Sequence, residues 1–211
     1  MNMQTAAIFL VASAALIAVP GPNHLYIMTR SIAEGRRSGF ASAFGVETGT
    51  LVHIAIAAAG LSYVIAQSVI AFSVVKYSGA AYLVYLGIRT LRARDEAQTV
   101  AATAPQSLRR VYLEGVVVNV FNPKVILFFL AFLPQFIDPR AGSVPLQIVV
   151  LGLVLLTLGL VSDIVYVIGA GSLGQWMRTR ASFRRYQRYI SGVVYLGLGA
   201  TTAMVGGGQR R

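Results

Sequence analysis

The sequence contains no cysteine and few charged residues, and each shortage excludes a class of chemistry. Among 211 residues there is no Cys, which excludes disulfides, thiolate metal sites, iron–sulfur clusters and dithiol redox chemistry. Only 12% of the residues are charged and 56% are hydrophobic, whereas a soluble domain carries about 25% charged residues. The polar surface that a soluble globule needs is therefore missing, and the composition is that of an integral membrane protein.

Acidic residues are scarcer still, which makes the chain strongly basic. Seven Asp and Glu stand against 18 Lys and Arg, for a net charge of +11. In a soluble protein this balance suggests nucleic-acid binding, but in an apolar chain it indicates cytoplasmic loops held beside anionic lipid. We therefore expect membrane lipid around the protein and no nucleic-acid partner.

Long gaps between the charges predict six membrane spans. Each gap offers roughly the 20 apolar residues that a helix needs to cross about 30 Å of hydrocarbon. The predicted spans are 5–28, 40–66, 68–88, 112–137, 144–170 and 190–206.

The distribution of basic residues predicts the topology. Thirteen Lys and Arg fall in the first, third and fifth loops, and four fall on the opposite side. By the positive-inside rule the odd-numbered loops face the cytoplasm and both termini lie outside. A central loop at 91–111 separates a first three-helix unit, 1–90, from a second, 112–211. The predicted fold is an all-α integral membrane protein with six transmembrane helices arranged as two inverted three-helix repeats.

Two of these spans contain proline-centred breaks in corresponding places. The breaks comprise Pro20, Gly21, Pro22 and Asn23 in the first span, and Asn122 and Pro123 in the fourth. Proline lacks the backbone N–H, so carbonyls one turn earlier lose their helical partners and must be buried in protein or face a wet cavity. Paired breaks in two halves of a chain are typical of a transporter substrate site, although kinks with packing value alone are the alternative.

Several short motifs share an order and a spacing. They are PGPN at 20–23, GRRSGF at 35–40, the Gly45-x-x-x-Gly49 run, KYSGAAYLVYLGIRTLR at 76–92, NPK at 122–124 and SDIVY at 162–166. In this setting they resemble the LysE/RhtB family of amino-acid exporters over almost the whole chain. The resemblance implies efflux of amino acids or small derivatives from the bacterial cytoplasm across the inner membrane. It implies an ion gradient as the driving force, and neither enzyme activity nor a cofactor.

Three charged residues lie deep within the predicted spans: Glu47, Lys124 and Asp163. A charge at mid-membrane costs from about 2.5 to over 10 kcal/mol, so we expect these groups to face one another. One ammonium group leaves one of the two acids over, and such an acid can carry a proton. We predict proton antiport, with Asp163 as the first candidate for the coupling acid and Glu47 as the second. The alternative is a buried Lys–acid pair that only holds helices together.

The remaining candidate site residues are polar. His24 follows the first break and could relay protons. Asn23, Asn119 and Asn122 could bind a substrate carboxylate or ammonium group, or could cap the broken helix ends. Since the chain has two histidines and no third metal ligand nearby, we expect no metal site.

Two other functions and one assembly are compatible with these features. A channel would need a charged ring supplied by oligomer symmetry, and an intramembrane hydrolase would need two acids, such as Glu47 and Asp163, opposed at hydrogen-bonding range. Gly45 and Gly49 favour close helix packing, with a homodimer through a glycine face as the alternative.

Overall fold

The computed structural model describes residues 3–18, 21–61, 69–92, 106–138 and 140–170, together with 189, 192–194, 196, 197 and 200. All regular elements in these ranges are helical. They are α1 (Met3–Ala18), α2 (Pro22–Glu34), α3 (Arg36–Ile56) with a π-helical turn (Ala57–Leu61), α4 (Val69–Arg92), α5 (Leu108–Val120), α6 (Pro123–Leu127) with π-helical (Phe128–Phe132) and 3₁₀ (Leu133–Phe136) turns, and α7 (Val144–Gly169).

Up to four membrane spans are present in these ranges. Arg36–Gly60 and Val144–Gly169 are each long and apolar enough to cross a bilayer. Two bent pairs qualify if each pair is one span: Thr5–Ala18 with Pro22–Glu34, bent by 49°, and Leu108–Val120 with Pro123–Phe136, bent by 45°. These four correspond to the predicted spans one, two, four and five.

The third and sixth predicted spans are not among these four. The third coincides with α4, in which Ala80–Arg89 is a shorter apolar stretch. The sixth, at 190–206, lies mostly outside the described residues, as do most of the central loop and the basic residues from 178 to 188. The arrangement as two inverted repeats therefore stays a prediction.

Helices α3 and α5 pack in near contact through glycines. A Cβ atom on Gly45 would lie 2.1 Å from the carbonyl oxygen of Tyr112, and one on Gly115 would lie 2.7 Å from that of Ser42. A Cβ atom on Gly49 would lie 2.6 Å from Cβ of Asn119. Small residues at these positions allow the two backbones to approach. The packing interpretation of Gly45 and Gly49 is confirmed, and a homodimer would have to use another face because this one is buried within the chain.

Replacing Gly45 by Ala should destabilise the protein. The new methyl group would overlap a backbone oxygen of α5, which cannot turn aside as a flexible side chain could, so the helices must separate at a cost of about 1–3 kcal/mol. The unfolding temperature of the detergent-purified protein measures this. Gly60→Ala is the matched control, since among the described residues no atom beyond its chain neighbours and its own helix lies within 4 Å of a Cβ placed there. Equal unfolding temperatures for the two variants would contradict the close packing.

The two breaks lie between two apolar clusters. The larger cluster joins α1 to the segment that follows α6, with the Phe9 ring 5.1 Å from Phe136 and 6.1 Å from Phe128, centroid to centroid. The smaller cluster, on the far side of the breaks, contains Ile27 and Val167. Buried apolar side chains thus pack on both sides of the breaks.

Candidate functional site

The two helix breaks lie side by side. Helix α1 ends at Ala18 and α2 begins at Pro22, while α5 ends at Val120 and α6 begins at Pro123. The side-chain amide of Asn122 donates to Oδ1 of Asn23 at 2.8 Å and joins one break to the other. The predicted interruptions are therefore confirmed as features of the fold; Pro20 lies outside the described residues.

The carbonyl group of Asn119 is the one that Pro123 leaves without its helical N–H. It accepts a hydrogen bond from the Asn122 backbone N–H at 2.9 Å and lies 3.3 Å from Nε2 of His53. The His53 ring stacks on Phe129, with 5.6 Å between centroids. A histidine on α3 thus stabilises the break in the other half of the chain, which meets the demand that a freed carbonyl in a membrane must find a partner.

The asparagines at the breaks have different surroundings. Asn122 caps α6, because its Oδ1 accepts from the Lys124 backbone N–H at 3.0 Å. Asn119 donates its side-chain amide to Oγ1 of Thr50 at 3.3 Å, while its own Oδ1 is buried with no hydrogen-bond partner among the described residues. Asn122 therefore caps a helix end, as the capping alternative predicts. The side-chain oxygen Oδ1 of Asn119 remains available to accept a hydrogen bond.

A small cavity lies where the breaks meet. Eight of the eleven predicted site residues line it: Gly21, Asn23, His24, Glu47, Asn119, Asn122, Lys124 and Asp163. Pro22 and Pro123 do not line it and are exposed, so their contribution is to start α2 and α6 beside it. The volume of about 60 Å³ holds a few water molecules, whereas small-molecule sites measure about 300–1,000 Å³. The cavity is therefore smaller than a site that holds an amino acid.

The charged residues predicted to face one another do so in this cavity. Glu47 on α3 and Asp163 on α7 lie within hydrogen-bonding range of each other, and both are buried. The Lys124 side chain is buried against Gly21, and the charge of Asp163 acts on its ammonium group. Asp163 lies on α7, six residues before that helix ends at Gly169.

His24 lies beside the acid pair. Its Nδ1 accepts from the Gly21 backbone N–H at 3.4 Å, so the ring proton of the neutral side chain is on Nε2. That nitrogen lies 3.6 Å from Oδ1 of Asp163 and 3.4 Å from Oγ of Ser162. The ring also packs on Tyr166, with 4.4 Å between centroids. The histidine that the sequence suggests as a proton relay is therefore placed next to the candidate coupling acid.

Gly159 is a site residue that sequence patterns do not reveal. A Cβ atom on Gly159 would lie 2.5 Å from Oε1 of Glu47, so the α7 backbone is in direct contact with that carboxyl group. A glycine within an apolar membrane helix has no distinguishing signal, since glycine is frequent there. Gly159 belongs to the site only because Glu47 on the opposing helix α3 lies against it.

Arg30 corrects an assignment made from the sequence, where it counts as a loop charge. The structure places it within α2, only 6% exposed, in ion pairs with Glu34 of α2 and, at 2.6 Å, with Glu114 of α5. The Tyr26 hydroxyl adds a hydrogen bond to the Val111 carbonyl at 2.7 Å. This network ties α2 to α5 on the side of the breaks away from the phenylalanine cluster.

Replacing Arg30 by Gln should destabilise the protein, because the buried Glu34 carboxylate would lose its cation. Removing one partner of a buried ion pair costs about 3–5 kcal/mol. Thermal unfolding of the purified variant measures the loss, and the double variant Arg30→Gln with Glu34→Gln should recover much of it. Arg110→Gln is the control, since Arg110 pairs with Glu114 on the exposed surface at 3.1 Å and should contribute less than about 1 kcal/mol. Equal losses for Arg30 and Arg110 would contradict the buried network.

The described residues contain no group of three His, Asp or Glu side chains placed to hold a metal ion. The cavity lining offers carboxyl, ammonium, imidazole and amide groups.

Similarity to known proteins extends over most of the chain. The uncharacterized membrane protein YrhP of Bacillus subtilis is 31% identical over 207 residues, which covers 93% of this chain and 97% of that protein. A homoserine/homoserine lactone efflux protein of Salmonella typhimurium is 34% identical over 170 residues, which covers 81% of this chain and 82% of that protein. No solved structure matches the chain.

A family model covers almost the same part of the chain. The model of the LysE type translocators matches residues 14–206, a range that includes every motif on which the LysE/RhtB resemblance rests. The resemblance is thereby confirmed, and it agrees with helices long and apolar enough to cross a membrane. The chain belongs to the LysE type translocator family and is a membrane transport protein, not an enzyme.

Proposed function

We propose that the protein exports amino acids or small amino-acid derivatives from the bacterial cytoplasm across the inner membrane. Membership of a translocator family and 34% identity to homoserine/homoserine lactone efflux proteins support this. The observation that carries it is the cavity between the two broken helices, which gathers two acids, a lysine, a histidine and three asparagines. Such a set can bind both charged groups of a zwitterion.

Proton antiport through Glu47 and Asp163 is the proposed coupling. Two carboxylates at hydrogen-bonding range repel each other unless they share a proton, so the empty pair holds one proton and one negative charge. The ammonium group of Lys124 balances that charge. Among the described residues, His24, Thr50 and Tyr166 also interact with the pair.

Exchange follows because proton and substrate use the same oxygens. A substrate ammonium group that binds between the two carboxylates takes the position of the shared proton, which is then released. The pair therefore carries one negative charge whether it holds the shared proton or a substrate ammonium group, and the site crosses the membrane with one of the two bound.

Two boundaries of the small cavity would have to open for a substrate to enter and leave. With the odd-numbered loops in the cytoplasm and both termini outside, the Arg30–Glu114 network closes the cytoplasmic side and the phenylalanine cluster the outer side. Each break belongs to one of the two three-helix units, 1–90 and 112–211. Rocking of one unit against the other would expose the site alternately.

Reconstitution in liposomes tests this function. Uptake of labelled L-homoserine into vesicles with an acidic interior should saturate with concentration and should fall when an ionophore dissipates the pH gradient. Saturation with gradient dependence supports antiport. Uptake that neither saturates nor responds to the gradient would instead indicate the channel, and absence of uptake for every amino acid tested would contradict the proposal.

A further inference from the structure

We propose that a groove along α5 binds one anionic phospholipid, with the lipid phosphate on Arg109 and Arg110 and an acyl chain on the apolar wall that follows them. The groove is separate from the cavity between the helix breaks. Its lining includes Tyr26 of α2 and, at and after the start of α5, Ser107, Arg109, Arg110, Leu113 and Val117. The site is therefore independent of the compound that the protein exports.

The groove begins at a membrane surface. Gly45 lies against Tyr112 and Gly49 lies against Asn119, so α3 and α5 run in the same direction and begin at the same end of the protein. Each of the two helices starts a candidate membrane span, which puts that end at a lipid–water interface. In the predicted topology this is the cytoplasmic interface, where Lys and Arg side chains meet anionic lipid.

The dimensions of the groove suit a lipid. The helix advances eight residues from Arg109 to Val117, which is about 12 Å at about 1.5 Å per residue. One leaflet contributes about 15 Å to a hydrocarbon thickness of about 30 Å, so the groove extends from the headgroup region into the acyl region of one leaflet. Its volume of about 610 Å³ lies within the range of about 300–1,000 Å³ that is typical of small-molecule sites.

The polar end of the groove has more cations than anions. Arg110 and Arg30 share the carboxylate of Glu114, at 3.1 Å and 2.6 Å. Arg109 is exposed and forms no ion pair within the described ranges. A phosphate group supplies the missing negative charge, and guanidinium groups bind its oxygens through paired hydrogen bonds. The exposed Ser107 hydroxyl, which accepts from the Arg110 backbone N–H, can donate to a further phosphate oxygen.

The other end of the groove is apolar. Arg109, Leu113 and Val117 follow one another at intervals of four residues and therefore share one face of α5. Leu113 is 49% exposed and Val117 is 55% exposed, so both side chains are available to an acyl chain. A soluble phosphate compound would use the arginines alone, whereas a phospholipid uses the charged end and the apolar wall together.

Retention of lipid by the purified protein tests the site. The protein in detergent is titrated with dioleoylphosphatidylglycerol or with dioleoylphosphatidylcholine, and native mass spectrometry records the lipids that each molecule retains. The wild type should retain one phosphatidylglycerol at least about fivefold more tightly than phosphatidylcholine, because the choline group brings a positive charge to the cationic end.

Variants with equal loss of charge distinguish the groove from the rest of the basic surface. Arg109→Gln combined with Arg110→Gln should weaken retention of phosphatidylglycerol at least about tenfold, the effect of losing charge-assisted hydrogen bonds. Arg36→Gln combined with Arg37→Gln is the matched control, because these exposed arginines lie in the first turn of α3, at the same end of the protein but outside the groove. It should change retention less than about twofold, since charges that do not touch the phosphate are screened. Arg109→Gln alone breaks no ion pair in the described part of the chain and should still weaken retention at least about threefold, which keeps the test valid if the double variant is unstable.

Three results would overturn the lipid site. Equal weakening by the two double variants would indicate attraction to the whole basic surface, and equal retention of the two lipids by the wild type would exclude recognition of an anionic headgroup. Displacement of phosphatidylglycerol by a similar concentration of sn-glycerol 3-phosphate would indicate a soluble phosphate ligand instead. Loss of retention confined to the Arg109 and Arg110 variants supports the site. Because no transport is measured, each result leaves the proposed export standing.

Discussion

Replacing Asp163 by Asn should reduce gradient-driven transport to the rate measured without a gradient, while exchange of substrate for substrate stays measurable. Asparagine keeps the size of the side chain and an acceptor oxygen, but it cannot release a proton. Exchange requires the site to move only in its substrate-loaded state, and therefore does not need the proton. Labelled amino acid is followed in liposomes with and without an imposed pH gradient.

The control for this variant is Asp138→Asn. Asp138 lies on the exposed surface, where Oδ1 accepts from the Arg140 backbone N–H at 2.9 Å. It should behave as the wild type in both assays. Gradient-driven flux at the wild-type rate in Asp163→Asn would show that Asp163 is not the coupling acid, and Glu47 and His24 would then be the groups to vary.

Replacing Pro123 by Ala should abolish most transport and leave membrane insertion intact. Alanine restores a backbone N–H that can donate to the Asn119 carbonyl, so α5 and α6 can join into one continuous helix. Continuity would remove the 45° bend and carry Asn122 away from Asn23. Pro123 is exposed, so the substitution removes little packing. Transport in liposomes and the yield of folded protein are measured together.

Pro145→Ala is the matched control for this variant. Pro145 lies in the first turn of α7 and is also exposed. A backbone N–H at that position has no acceptor within the helix, so the proline removes no helical hydrogen bond. It should transport as the wild type does. Wild-type rates from Pro123→Ala would remove the broken helix from the mechanism.

The parts of the site that the sequence predicts are those fixed by local chemistry or by solvation. A proline cannot donate its N–H in any context, so the breaks at Pro22 and Pro123 follow from the residues alone. The cost of an unpaired charge in hydrocarbon requires Glu47, Lys124 and Asp163 to find one another, whichever helices carry them. The structure agrees on both points.

The parts that the sequence does not predict depend on contacts between distant helices. The count of basic residues places Arg30 in the first loop. The fold shows that Arg30 is buried and paired with Glu114, which lies 84 positions away in the sequence. The contact of Gly159 with Glu47 depends on the separation of α3 and α7, which no pattern within either helix encodes. The cavity volume of about 60 Å³ depends on the packing of several helices, which no single segment encodes.

Proton release on substrate binding is the measurement that tests the central claim most directly. Purified protein in weakly buffered detergent solution is mixed with L-homoserine at constant pH, and a pH-indicator dye records the protons released. We expect the wild type to release protons in proportion to bound substrate, and Glu47→Gln and Asp163→Asn to release few or none. Substrate binding by the wild type with no release of protons would contradict the exchange of a shared proton for an ammonium group at the Glu47–Asp163 pair.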